Sequence, residues 1–127
     1  MPRFNKSNIK ELKDFLYNSY AHDAKLENVK YKSGEDSIKI ELYNPIFEVK
    51  SDLTFRNIGI VLAFKGDWIG NRETILSLTV EEDFSYLQTY LTNYNECNDN
   101  SLYLLFQMFS GDELHIVSRE ITVEITR

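Results

Sequence analysis

The sequence predicts an α+β fold: a mainly antiparallel sheet of about five to six strands, with an N-terminal helix and a second helix before the C-terminal hairpin. Near the N-terminus, apolar residues recur at spacings of three and four. Through the middle, alternating or near-continuous apolar runs are separated by short turn-forming connections, which favour antiparallel pairing. The last stretch reads as two strand-like runs around Ser110, Gly111, Asp112 and Glu113. At 127 residues, with 43% hydrophobic side chains, the chain fits a single α+β domain over 1–127. A strongly curled sheet or partial barrel is the structural alternative.

Residues 1–6 read as a short polar lead. Ser7 is placed to cap a helix over about 7–20, in which Ile9, Leu12, Phe15, Leu16 and Tyr20 share one face. Leu26, Val29 and Tyr31 then suggest a strand with one irregularity of phase. Ile38, Ile40 and Leu42 alternate with Lys39, Glu41 and Tyr43, as in a half-buried strand. Gly34 is expected to supply the turn between these two strands. Asn44-Pro45 ends the hairpin, and Phe47 and Val49 suggest a short edge segment. A longer strand runs from Leu53 to Phe64, where Gly59 marks a bulge or a close backbone approach.

After the Lys65–Arg72 break, Ile75, Leu78 and Val80 support another strand. Thr79 to Asp83 carries capping oxygens followed by acids, and Phe84, Leu87, Leu91 and Tyr94 continue at helical spacing. These predict a helix over about 82–94. Residues 95–100 are polar and read as a loop. Leu102–Phe109 is apolar on both alternating faces and predicts a covered interior strand, the candidate for the sheet's centre. In the final strand Leu114 and Ile116 fall on the opposite face from Ile121, Val123 and Ile125. Either the strand bulges near Val117–Arg119 or both faces are covered there.

The net charge is -6, and it is unevenly distributed. Residues 1–63 hold ten Lys and Arg against nine Asp and Glu, whereas residues 64–127 hold four against eleven. Phosphate-backbone binding needs clustered positive charge, which the second half lacks, so nucleic acid is not an expected partner. An acidic surface steers a basic protein partner inward instead. A single cysteine, Cys97, allows neither an internal disulfide framework nor a cysteine-based zinc site, and it lies among acids that oppose thiolate formation. No apolar segment approaches the ~18 residues of a membrane span, and no apolar stretch follows Met1, so the expected location is the cytoplasm.

Few residues point to chemistry. His22-Asp23 could pair a general base with an orienting carboxylate or supply two metal ligands, but adjacent strand residues point apart, and backbone satisfaction at a helix end explains them better. His115, the other histidine, reads as a structural residue early in the last strand. Trp68 lies with Asp67, Asn71 and Arg72 in a loop whose glycines, Gly66 and Gly70, let it project. Trp and Arg concentrate binding energy in contacts, which makes this loop a candidate partner-binding site. Asp112 and Glu113 in the last turn extend the candidate surface. The spacing matches neither a phosphate-cradling glycine loop, a calcium loop nor a nucleophile elbow, so no cofactor, metal or catalytic residue is expected.

The runs IGIVLAFKGDWIGNRETILSL and LYLLFQMFSGDELHIVSREITVEI resemble small uncharacterised proteins of low-GC Gram-positive bacteria, including YxiG-like chains. Families of this kind include proposed immunity proteins encoded beside polymorphic toxins. The resemblance covers much of residues 20–126, rests on sheet-forming positions and transfers no functional residue. It implies a non-enzymatic bacterial protein.

Together these features lead to the expectation of a non-enzymatic cytoplasmic protein-binding module. The resemblance adds the specific form of an immunity protein that occludes a basic toxin. The alternative is a small-ligand-binding protein or small enzyme using the concave face of a curled sheet, which requires His22, Asp23 and His115 to converge with Trp68. Self-association through an exposed sheet face is a third route to covering the long apolar strands.

Overall fold

Seven strands share one antiparallel sheet in the computed structural model of the chain, which describes residues 2–17, 21–32, 34, 36–64, 74–83, 85–88, 101–109, 111 and 113–126. The strands are β1 (Arg3–Phe4), β2 (Lys25–Lys32), β3 (Ser37–Asn44), β4 (Val49–Phe64), β5 (Ile75–Glu81), β6 (Leu102–Met108) and β7 (Glu113–Thr126). They run in the order β2-β3-β4-β7-β6-β5, and β1 pairs with β7 beyond the end of β6. The α+β class and the antiparallel sheet are as expected. The strand count exceeds five to six because Arg3–Phe4, expected to be a polar lead, joins the sheet and buries Phe4 against Phe15, with ring centres 5.4 Å apart.

The N-terminal helix starts two residues earlier than Ser7 suggests. Asn5 is the cap: its side chain accepts the Ser7 amide at 2.9 Å, and its own amide donates to Asn8 Oδ1 at 2.7 Å. A 3-10 turn, Lys6–Asn8, leads into α1 (Ile9–Tyr17), which buries Leu12 and Leu16. Residues 18–20 lie outside the described part.

The phase irregularity in β2 is a register slip between Leu26 and Asn28, which lets Leu26 and Val29 face the same side. Among the described residues of the turn to β3, the left-handed one is Asp36, φ 48°, and not Gly34. At the other end of β3, Asn44 Oδ1 accepts the amides of Ile46 at 2.9 Å and Phe47 at 3.2 Å, a side-chain turn closed over Pro45. Phe47 is exposed there, and Val49 opens β4 in the sheet interior instead of forming an edge segment.

β4 and β7 pair from Lys50–Thr126 to Phe64–Glu113, so the sheet's centre is this ladder and not β6, which is nonetheless interior. The ladder slips once. Ile58 pairs with Ser118 and Ile60 with Val117, leaving Gly59 as the extra residue, while Asn57 takes a left-handed φ of 57°. Opposite this slip β7 changes phase. Leu114 and Ile116 on one side, and Ile121 and Val123 on the other, reach the same core.

The two outer strands meet at one end. The Asp23 amide donates to Ile75 O at 3.0 Å, the Ile75 amide donates to Ala24 O at 2.8 Å, and Lys25 bridges Thr74. This closes the six-strand path at that end and makes the sheet a partial barrel, the alternative named above. Its concave side is filled by a continuous core that includes Leu26, Ile40, Phe55, Leu104 and Phe106, with Phe55 and Phe106 meeting edge to face at 6.3 Å. Helix α1 adds Leu12 and Leu16 to this core and packs against β5, and Lys13 reaches Glu82 at 3.1 Å.

Of the helix expected over 82–94, the described residues form one turn, α2 (Ser85–Gln88). Thr79, Val80 and Glu81 pair with Leu105, Leu104 and Tyr103 of β6, in the strand expected from Ile75, Leu78 and Val80. The ladder overrides their local capping preference, as tertiary context commonly does. Residues 89–100 are outside the described part. Among the described residues no helix is long and apolar enough to cross a membrane.

Leu12 is fully buried whereas Tyr17, at the end of the same helix, is 90% exposed. Leu12→Ala is therefore expected to cost about 2–5 kcal/mol in urea unfolding. Tyr17→Ala is expected to change stability by about 0.5 kcal/mol or less.

Candidate functional site

Alternation decides which side chains leave the core. In β6, Leu104, Phe106 and Met108 point inward, so Tyr103, Leu105 and Gln107 stand on the outer face. In β7, Leu114 and Ile116 take the inside and leave Glu113 and His115 outside. The register then groups them, since Glu81 pairs with Tyr103 and Leu105 with His115. With Asp83 just beyond β5, these residues line an outer-face pocket of about 290 Å³.

A chain of hydrogen bonds runs through it. The Tyr103 hydroxyl lies 2.5 Å from His115 Nδ1, and His115 Nε2 lies 3.2 Å from Glu113 Oε1. A carboxylate only accepts, so these contacts suit a neutral imidazole that donates from Nε2 and accepts the phenol at Nδ1. Tyr103 is 2% exposed and His115 1%. Burial strengthens such a network and makes each missing member costly. His115, expected to be a surface or partly buried structural residue, is fully buried, and Glu113 is its partner as well as a turn residue.

The other two acids are held locally. Glu81 Oε1 accepts from Thr79 Oγ1 at 3.0 Å. Asp83 accepts the Ser85 amide at 2.9 Å, and the backbone and side-chain hydrogen bonds from Ser85 hold its carboxyl below the usual range. The described pocket lining has three carboxylates and no lysine or arginine, so negative potential is focused there. Leu105 and the Tyr103 ring supply apolar wall. The chemistry suits a cationic group on an apolar stem.

Of the candidate residues, Glu113 belongs to this pocket. Trp68, Asp67, Asn71, Arg72 and Asp112 lie outside the described residues, as does Cys97. His22 and Asp23 do not join His115. His22 is exposed, with Nδ1 3.1 Å from Asp23 Oδ2, and its carbonyl accepts from Asn44 Nδ2 at 3.3 Å. Asp23, at φ 66°, donates its amide to the closure with β5. This pair serves the barrel seam. Among the described residues no group of three His, Cys, Asp or Glu is arranged to hold a metal ion.

Tyr103 and Leu105 were not singled out by the sequence. The available signal was parity across the terminal hairpin. A tyrosine and a histidine interrupt apolar strands on faces that become common once the hairpin register is known.

No family model matches the chain, and no curated protein matches it. Its fold is similar to a crystal structure of an uncharacterized protein from Neisseria gonorrhoeae, with a TM-score of 0.50 and 9% identity, covering 84% of this chain and 92% of that one. At that identity the likeness concerns the fold alone.

The hydrogen-bond chain makes a prediction. Tyr103→Phe leaves Nδ1 of a buried imidazole without the phenol and is expected to cost about 1–3 kcal/mol in chemical denaturation. Combined with His115→Leu, the cost should fall short of the sum of the two single changes, because the lost bond is shared.

Proposed function

We propose that this chain is a non-enzymatic binding module that takes a positively charged protein partner on the outer face of β5, β6 and β7. The observation that carries this reading is the pocket of Glu81, Asp83 and Glu113 beside Tyr103 and Leu105, with no cationic side chain in its described lining. Acids on that face would steer a basic surface inward, and a lysine or arginine of the partner would enter the pocket. The acid excess of residues 64–127 in the sequence has the same sign as this pocket. The specific form we propose, following the sequence resemblance, is a bacterial immunity protein of the cytoplasm that neutralises a toxin by occlusion. Trp68, Asp67, Asn71, Arg72 and Asp112 are proposed as further contacts, by residue type.

A small-ligand or small-enzyme reading has one supporting observation, the buried Tyr103–His115–Glu113 chain opening on the same pocket. It belongs on the outer face, because core side chains occupy the concave one.

Co-expression tests the leading reading. The chain should rescue cells from the toxicity of a neighbouring gene's product and bind that product more weakly as salt rises. Replacing Glu81, Asp83 and Glu113 by their amides should weaken binding by about tenfold or more. Absence of rescue from any neighbouring gene's product would overturn the immunity reading. Binding that ignores both salt and the triple replacement would overturn the acidic face as its site.

A further inference from the structure

The opposite half of the outer surface has a different chemistry. On β2, β3 and β4 the register sets Lys32, Ser37 and Arg56 side by side on one rung, and Lys30, Lys39 and Thr54 on the next. Neighbouring strands lie about 4.8 Å apart, so Lys32 and Arg56 straddle Ser37 within easy reach of one small group. These residues line a groove of about 260 Å³.

Ion pairing removes most of the other charges on this face. Lys30 binds Glu41 at 2.9 Å, and this hydrogen bond holds the Glu41 carboxyl below its usual range. Lys39 lies 3.7 Å from Asp52, and Arg3 takes Glu120, the β7 neighbour of Arg56, at 2.7 Å. Among the described residues, Lys32 and Arg56 have no carboxylate within ion-pair distance.

Arg56 is also held in position. Its Nη1 donates to Thr122 Oγ1 at 2.9 Å, which fixes the guanidinium and leaves its remaining N–H groups to other acceptors. Ser37 is only 5% exposed and lines the groove between Lys32 and Arg56. Among the described residues, the buried side-chain polar atom without a partner is Asp52 Oδ1, in the lining of the same groove.

We propose that Lys32, Ser37 and Arg56 form a binding site for one phosphate-type oxyanion, free or as the monoester of a small soluble molecule. The guanidinium gives forked donors, the ammonium a mobile charge and the serine a short neutral donor, matching the several acceptor oxygens of such a group. The ligand is compact because Asp52 and Glu124 stand at the other end of the groove, where a second anionic group would be repelled. The net charge of -6 also opposes a long polyanion. This inference does not depend on the basic partner proposed for the other face.

The test is an NMR titration of the folded chain with inorganic phosphate, replaced stepwise by chloride at constant pH and ionic strength. Saturable shifts should centre on the amides of Lys32, Ser37 and Arg56. Arg56→Gln and Lys32→Gln should each weaken binding roughly tenfold, with Ser37→Ala weakening it less. Lys32 is exposed, so its replacement reports on binding without risk to the fold. Lys50→Gln, on the same face but outside the groove, should leave binding unchanged. Absence of saturation, or equal weakening by Lys50→Gln, would overturn the site. Binding to phosphatidate-containing vesicles without saturable binding of inorganic phosphate would also overturn it, in favour of a membrane surface.

Discussion

The antiparallel ladder between β4 and β7 is the constraint on which the other elements depend. Every other strand is attached to one side of it or the other: β3 and then β2 beside β4, and β6, β5 and β1 on the far side of β7. The pairing is long, and a strand pair of this length twists and coils. A continuous alternation would carry one end of β7 out of the core. The slip at Gly59, with Asn57 in the left-handed region, resets the phase so that both ends of β7 bury apolar side chains in one interior. Curling then brings β2 to β5, where backbone bonds from Asp23 and Ile75 close the seam.

Because the core fills the concave side, the polar side chains of the described strands stand on the outer faces. These inherit the uneven charge of the chain. Strands from the first half present lysines and Arg56 interleaved with acids, whereas β5, β6 and the start of β7 present Glu81, Glu113 and the buried tyrosine–histidine pair. A single protein thus carries one groove suited to an anion and one pocket suited to a cation, on opposite halves of its sheet path. Local pairing explains why the first face is not simply basic, since Glu41, Asp52 and Glu120 each neutralise a cation next to them.

Much of the fold was legible in the residues. The amphipathic helix, the β2 irregularity, the glycine slip in β4 and the interior character of β6 all follow from periodicity and from glycine's conformational freedom. What was not legible was set by partners distant in sequence. Phe4 looks like part of a polar lead until β7 offers it a strand edge. Thr79 to Glu81 carry helix-start chemistry, yet β6 holds them as strand. The sites were harder still, because a site on a sheet depends on register. Glu113 was identifiable from its turn, but its link to Tyr103 through His115 exists only once β6 and β7 are aligned. The Lys32–Ser37–Arg56 rung likewise joins three strands whose residues look unrelated in the chain.

If the β4–β7 ladder organises the molecule, it should also be its most stable part. Native-state hydrogen exchange measures this directly, because amides in the last region to open exchange only on global unfolding. Slowest exchange is expected at Leu53 to Phe55, and at the facing Ile121 to Val123, with β2 near Tyr31 and Lys32 opening at lower free energy. Exchange in β4 and β7 as fast as in β2 would contradict the account.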